Sequence, residues 1–293
     1  MKATVLFLGF YLAIISVIAQ EWHQTNGPYG ADVMAMATAP DGVIFAGTRG
    51  GGVFYSENQG DTWNSMNEGL TNLFVYSLTV TNEGLIFAGT MGGGVFGWEV
   101  SSQSWIALNI GIEMPWIVAL TCNDQGDVFA GTFEGGGVYR SMDNGNSWVL
   151  INEGLTTTYV TAISVAPDQT IFVGTFGGGV FRSIDNGDSW EYKSSGIEVP
   201  YILSLATSSS GIVYAGTDFG GGVFRSTDHG DQWTALPTGF NSSNGVNALM
   251  VNHVLDNIVY AGTYGDGIFK SNDGGDNWEE YDNGITSPFV ISF

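Results

Sequence analysis

The aspartates of this chain fall on a beat. Ser141-Met142-Asp143-Asn144-Gly145-Asn146-Ser147-Trp148 has the form Ser-x-Asp-x-Gly-x-x-Trp, and the form returns at 183–190, 226–233 and 271–278. The stretch 56–63 keeps it with Asn58 in place of the aspartate, while the stretch ending at Trp105 has lost it. Two chemistries suit such a carboxylate. It can bond backbone amides across a tight turn, with glycine in the left-handed position and tryptophan clamping the hairpin. Alternatively, acids such as Asp185 with Asp188, or Asp228 with Asp231, offer oxygens to calcium. That ion takes about six to eight oxygen ligands, more than one such turn supplies. We read Asp143, Asp185, Asp228 and Asp273, together with Trp63, Trp148, Trp190, Trp233 and Trp278, as turn-building residues. No metal and no cofactor is expected; His23, His229 and His253 share no ligand-like spacing.

A second set of residues is aromatic. Phe74, Trp116, Tyr159, Tyr201 and Phe289 occupy equivalent places just before apolar, β-rich runs. Arg49, Met91, Phe133, Phe176, Phe219 and Tyr264 each stand inside or beside a glycine cluster, and Asp218 precedes Phe219. Flat rings around a mouth can stack on sugars or on a partner's side chains, and they can equally cap the ends of a core. The candidate ligand-binding set is therefore Phe74, Trp116, Tyr159, Tyr201, Phe133, Phe176, Asp218, Phe219 and Tyr264. The glycine clusters are not phosphate loops, because each joins two strands and no helix follows. No residue is assigned a catalytic role.

These residues ride on a repeat. Phe45-Ala46-Gly47-Thr48 recurs at Phe87, Phe129, Phe172, Tyr214 and Tyr260, in steps of 42, 42, 43, 42 and 46. The tryptophans keep the same beat, and Trp22 falls in their column. Each unit reads as four short strands. The first alternates in period two, as in Val160-Thr161-Ala162-Ile163, and is expected to be buried on both faces. The second ends in the Phe-Ala-Gly-Thr run, the third reads Val-Phe-Arg-Ser, and the fourth carries the tryptophan. Units of four strands with no helical pattern between them suit propeller blades, each covered by its neighbours. Six second and third strands stand against seven first strands, the last at 290–293, and seven fourth strands, the first at Trp22. The expected fold is thus all-β: six complete blades plus a partial seventh made by the two termini, in a piece of a seven-bladed or longer ring.

The Ser-x-Asp-x-Gly-x-x-Trp copies resemble the Asp-box, or BNR, repeat of sialidases, sortilin-type receptors and other secreted propellers. The resemblance covers residues 21–293. In the sialidases it implies an arginine triad, a tyrosine nucleophile with a glutamate, and an acid aspartate. Only four arginines are present. Arg140, Arg182 and Arg225 share one repeat column next to the aspartate turns, at the end opposite the glycine turns, which leaves Arg49 alone. Thr217-Asp218-Phe219-Gly220-Gly221 is similar to the turn that carries the catalytic base of two-propeller xyloglucanases. It stands in the fifth blade, where that family uses an early one, and Glu134 is the other acid at that end. Two carboxyls across one bond are what glycoside hydrolysis needs. The connections, such as Asn152-Glu153-Gly154-Leu155, also resemble those of periplasmic sensor propellers, and Asp-box propellers assist photosystem assembly. The expected function is that of a non-catalytic secreted propeller that uses its aromatic end to bind a glycan or a secreted or surface protein, with a glycoside hydrolase or a fragment of one as the alternative.

Composition narrows the partners. The 293 residues carry 29 acids against 7 Lys and Arg, a net charge of −22. Phosphate backbones bind through basic side chains, so nucleic acid is excluded as a partner, as is an anionic membrane surface. Such acidity serves solubility or recruits a cationic partner. Cys122 is the one cysteine, so no intrachain disulfide forms. Lys2, the uncharged apolar stretch 5–18 and Val17-Ile18-Ala19 read as a signal peptide over 1–19. A membrane anchor is the rival reading of a stretch short for a span. The mature domain is then 20–293, secreted, periplasmic or on the cell surface, with no membrane span after cleavage.

Overall fold

The computed structural model describes residues 27–28, 32–237, 239 and 244–293. The expected signal peptide and the strand at Trp22 lie outside these residues. Among those described, the chain forms six four-stranded antiparallel sheets, each in simple chain order. In the first blade the strands run Val33–Thr38, Ile44–Thr48, Gly52–Ser56 and Asn64–Ser65. The inner strands of the next five are Val75–Val80, Ile117–Cys122, Val160–Val165, Ile202–Thr207 and Val246–Val251. Each inner strand packs on the next around the ring, and the sheets form a propeller.

The Phe-Ala-Gly-Thr run explains how one blade fits its neighbour. Its aromatic ring and alanine are core residues in most blades, and the threonine is fully buried in all six. The threonine hydroxyl donates to the carbonyl of a glycine at or just before the start of the third strand: Thr48 to Gly52 at 2.8 Å, Thr175 to Gly179 at 2.9 Å, Thr263 to Gly267 at 3.0 Å. The glycine of the run makes room for the next blade. A Cβ added at Gly47 would lie 2.6 Å from Val75 Cγ1, and one at Gly174 would lie 2.5 Å from Ile202 Cγ2. Val75, Ile117, Val160, Ile202 and Val246, the first residues of successive inner strands, are all 0% exposed as a result. A branched knob thus enters a glycine hole at each of these blade interfaces.

The turn between third and fourth strands is built from its own side chains. Ser141 Oγ accepts from Gly145 N at 2.8 Å and donates to Asp143 Oδ1 at 2.8 Å. Asp143 Oδ1 also accepts from Ser147 N at 2.8 Å, and its Oδ2 from Ser147 Oγ at 2.6 Å. The same serine-to-carboxylate bonds hold Asp185, Asp228 and Asp273. Asn58 reproduces them as an amide, accepting from Ser56 Oγ and Thr62 N at 3.0 Å each. The residue before the glycine is left-handed too: Gln59, Asn144, Asn186 and His229 have φ between 56° and 59°.

Two expectations are corrected, and a third, the partial seventh blade made by the two termini, is not shown. The inner strands are not buried on both faces, since residues such as Ala162 and Ile163 are half-buried where the strands line a narrow central passage. The tryptophan generally stands just before the fourth strand, which is only two residues long in five blades. Trp105 alone lies within it, where the aspartate turn is lost and a longer hairpin, Ser104–Ala107, replaces it. The last expected inner strand, at 290–293, carries no strand pairing of its own. Phe289 forms a bridge with Tyr264, and residues 291–293 join the inner strands in lining the passage.

Candidate functional site

The end of the ring that carries the glycine turns is built by a repeated clamp. Gly50 and Gly52 N–H both donate to Leu73 O, Gly92 and Gly94 to Pro115 O, Gly177 and Gly179 to Pro200 O. Each glycine turn thereby grips the connection entering the next blade, one residue before its aromatic. Glycine is required at the first of these places. Gly50, Gly92, Gly135, Gly177 and Gly265 are left-handed, with φ from 85° to 127°. A Cβ there would meet the ring of Phe74, Trp116, Tyr159, Tyr201 or Phe289, at 3.9, 3.4, 3.8, 3.5 and 3.9 Å. Asn67, Asn109 and Asn152 brace the same turns from the outer strand. Asn67 Oδ1 accepts from Val53 N at 2.8 Å and its amide donates to Gly51 O at 2.8 Å.

The rings that result fall into two groups. Phe133, Tyr159, Phe176, Tyr201 and Phe219 join in one chain of edge contacts across the third, fourth and fifth blades. The centroid distances are 6.1 Å for Phe133–Tyr159, 6.1 Å for Phe133–Phe176, 4.9 Å for Phe176–Tyr201 and 4.8 Å for Tyr201–Phe219. Tyr264 and Phe289 form a separate pair at 4.9 Å. Trp116 and Phe74 sit over their own glycine turns, in the second and first blades. So the structure joins five of the nine sequence candidates, and places Phe74, Trp116 and Tyr264 elsewhere on the same end. Asp218 adjoins the chain through Phe219, and its Oδ1 accepts from Phe219 N at 2.8 Å. Phe219 is 64% exposed and Tyr159, Phe74, Tyr264 and Phe289 are about half exposed, while Phe133, Phe176 and Tyr201 are half-buried. One side of each connection ring covers a glycine turn, and edges meet neighbouring rings, which leaves an apolar ridge facing solvent.

The opposite end holds three of the four arginines. Arg140 Nη1 donates to Asn186 O and pairs through Nη2 with Asp188 at 2.9 Å. Arg182 reaches His229 O at 2.8 Å and Asp231 at 3.1 Å. Arg225 reaches Gly274 O and Asp276, at 2.8 and 2.9 Å. Each of the three arginines therefore staples its own blade to the aspartate turn of the next, and none is available to a substrate on the aromatic end. The second acid of each turn, considered above for calcium, is an arginine partner. The first is consumed by its own turn. Hydrogen bonds from Ser147 hold the Asp143 carboxyl below the ordinary aspartate value, and those from Asn277 do so for Asp273. The Gln232 amide has the same effect on Asp228. Among the described residues, no cluster of three or more His, Cys, Asp or Glu could hold a metal ion.

These staples left a signal in the sequence that was read only by column. Arginine at 140, 182 and 225 repeats with an acid 48, 49 or 51 residues later, one blade on. The glycine-turn clamp could not be read, because its acceptors are main-chain carbonyls of any residue type.

No family model matches the sequence, and no curated protein sequence matches it either. Solved structures share the fold at low identity. The extracellular domain of the one-component system BT4673 from B. thetaiotaomicron superposes with a TM-score of 0.73 at 15% identity, covering 94% of this chain and 37% of that one. The chain thus spans little more than a third of the length of that neighbour. YCF48 bound to a D1 peptide gives 0.69 at 16% identity, over 88% of this chain and 84% of the other. The GH74 xyloglucanase from Xanthomonas campestris gives 0.67 at 16%, over 85% and 45%. At these identities the likeness establishes a β-propeller fold and nothing finer, with six blades among the described residues.

Proposed function

We propose that this chain is a secreted Asp-box propeller that binds without catalysis, through the aromatic end of the ring. Its ligand is a segment of a secreted or surface protein, or a glycan. The observation that carries the reading is the five-ring chain from Phe133 to Phe219, a partly exposed apolar ridge with Tyr159 and Phe219 as its most exposed rings. The ring geometry favours polypeptide over sugar. A sugar stacks on an open ring face, and here Tyr159 and Tyr201 each lie against a glycine turn and meet neighbouring rings edge to face. Apolar side chains of an extended segment need only the ridge. A neighbour of the same fold has been solved with a D1 peptide bound, which supports the reading without identifying the ligand. The Asp-box assignment is supported by the self-bonded turns at Asp143, Asp185, Asp228 and Asp273. Secretion is supported by the apolar stretch at 5–18 and by an extracellular domain among the neighbours. No helix among the described residues is long and apolar enough to cross a membrane.

The test is a screen of secreted-protein peptides and soluble polysaccharides against the wild-type chain, followed by variants. Tyr201→Ala and Phe219→Ala should each weaken the best ligand at least tenfold, a loss typical of an interface anchor. Trp116→Ala should weaken it less, because Trp116 stands outside the five-ring chain. Trp98→Ala, at the far end of the ring, should leave it unchanged. Equal binding by folded Tyr201→Ala and Trp98→Ala would sink the proposal.

A further inference from the structure

The glycine turns are not all alike. Thr48, Thr90, Thr175 and Thr263 each bond the glycine four residues on, whereas Thr132 bonds Gly137 and Thr217 bonds Gly222, five residues on. The third and fifth blades thus carry turns one residue longer than the others. Both long turns set an acid beside an aromatic ring, Phe133-Glu134 in one and Asp218-Phe219 in the other. The connection into each of these blades adds a second acid. Glu113 precedes Met114, whose Cβ would lie 2.7 Å from a Cβ added at Gly136. Glu198 precedes Val199, whose Cβ would lie 3.0 Å from one added at Gly221. Each long turn is therefore flanked by its own pair of carboxylates. The fourth blade, between them, has Thr156-Thr157-Thr158 and Phe176-Gly177-Gly178 in the same places and carries no charge there.

The two pairs bracket the aromatic ridge. Phe133, Phe176 and Phe219 cross the three blades in steps of 6.1 and 6.3 Å. Glu113, Glu134 and Glu198 are exposed and Asp218 is half-buried. Among the described residues none of the four enters an ion pair. The cations of the chain are engaged elsewhere. Lys193 joins Arg140, Arg182 and Arg225 in pairing with acids at the opposite end, and Lys270 lies over the rings of Tyr260 and Tyr281. Arg49 stands on the first blade beside Asp32, at 4.0 Å.

We infer that the ridge takes an extended cationic polypeptide segment, apolar for about four residues with a lysine or arginine on either side. The inference rests on reading the aromatic end as the binding surface. Its length follows from the rings, since steps of 6.1 and 6.3 Å match about four residues of extended chain at about 3.3 Å each. Apolar side chains cover the rings. The flanking cations meet the carboxylates, which speeds encounter and rejects acidic segments by like-charge repulsion. A neutral glycan gains nothing from the four acids.

The probe is a random dodecamer library displayed on phage and selected on the immobilised full chain, with enriched sequences remade as free peptides and titrated by calorimetry. Enriched peptides should carry two basic residues about five positions apart around apolar ones. Glu134→Gln with Glu198→Gln, one acid from each pair, should weaken them about fivefold at low salt and reduce the salt dependence. The matched variant Glu57→Gln with Glu83→Gln, exposed acids of the opposite end, should bind as the wild type does. Equal loss in both double variants would overturn the inference, because the attraction would then belong to the whole acidic chain. Peptides without basic residues that still lose affinity for Tyr201→Ala would overturn it while leaving the aromatic end as the binding surface. Basic peptides that bind folded Tyr201→Ala as tightly as the wild type would overturn both. Failure of any sequence to enrich would overturn it too.

Discussion

Gly187 shows how much one residue carries in this repeat. Its φ is 90°, a region that side chains other than glycine's rarely adopt. A Cβ there would also collide with Ile151 Cδ1 of the preceding blade. The glycine is thus required twice, by the turn and by the blade interface. Gly187→Val is expected to cost about 1–3 kcal/mol, read as a lower midpoint in urea with an unchanged slope, and to leave ligand binding intact. A wild-type midpoint would refute the turn assignment. The aspartates of the same turns make a pH prediction. Asp143, Asp228 and Asp273 are held below the ordinary value near 3.8 by the hydrogen bonds they accept. A carboxyl depressed in the folded state stabilises above its unfolded pKa and loses that contribution as pH falls through the folded one. The loss therefore begins near pH 4 and deepens below it. Asn58 shows that an amide can keep the turn's bonds without titrating. Replacing the three aspartates with asparagine should flatten the acid limb of a melting-temperature profile between about pH 2 and 5. An acid limb as steep as that of the wild type would show that other carboxyls set it.

At the scale of the blade, the staples and the knobs divide the labour. The knobs give area and shape, and the arginines give direction, since each reaches only the turn of the next blade. Arg182 is the best connected, with Asp231, Glu191 and His229 O as partners. Its guanidinium is mostly covered while the acids are more than half exposed, so solvent screens the pairs. A double-mutant cycle of Arg182→Leu and Asp231→Asn should give a small coupling that shrinks in molar salt. A coupling of zero would leave Arg182 to packing alone. The strands and their order were legible in advance because each blade repeats the same alternation and the same Phe-Ala-Gly-Thr ending. The reason for that ending was not. Gly47 and Gly174 read as strand residues, and only the adjoining blade shows that each is a hole for Val75 or Ile202. Likewise the aromatic column was visible from Phe74 to Phe289. The joining of Phe133, Tyr159, Phe176, Tyr201 and Phe219 into one chain depends on blade rotation, which spacing along the sequence does not encode.

Across the whole ring these devices are distributed unevenly, and that sets where the molecule opens. The staples run from the third blade to the sixth, because the same column holds Tyr55 in the first blade and Gly97 in the second. The second blade has also lost its aspartate turn. Where Gly187 of the fourth blade seats against Ile151 and Phe129, the corresponding place beside Phe45 and Met66 opens into a cleft of about 750 Å³ walled by Tyr55 and Trp98. Trp105 still donates its indole N–H to Met66 O at 2.6 Å, and Trp98 packs edge-on to it at 5.5 Å, so two tryptophans stand where the aspartate turn would seat. In a ring of repeats, stability is close to a sum of blade and interface contributions, and the weakest interface opens first. Native-state hydrogen exchange should therefore show the inner strands Val33–Thr38 and Val75–Val80 exchanging through a sub-global opening. Those of the third to fifth blades should exchange only with global unfolding. Grafting the turn of the fourth blade, residues 183–190, in place of 98–105 should raise protection in the first two blades and leave the others unchanged. Uniform protection across all six inner strands would mean that the knobs suffice and that neither staple nor turn decides where the ring breaks.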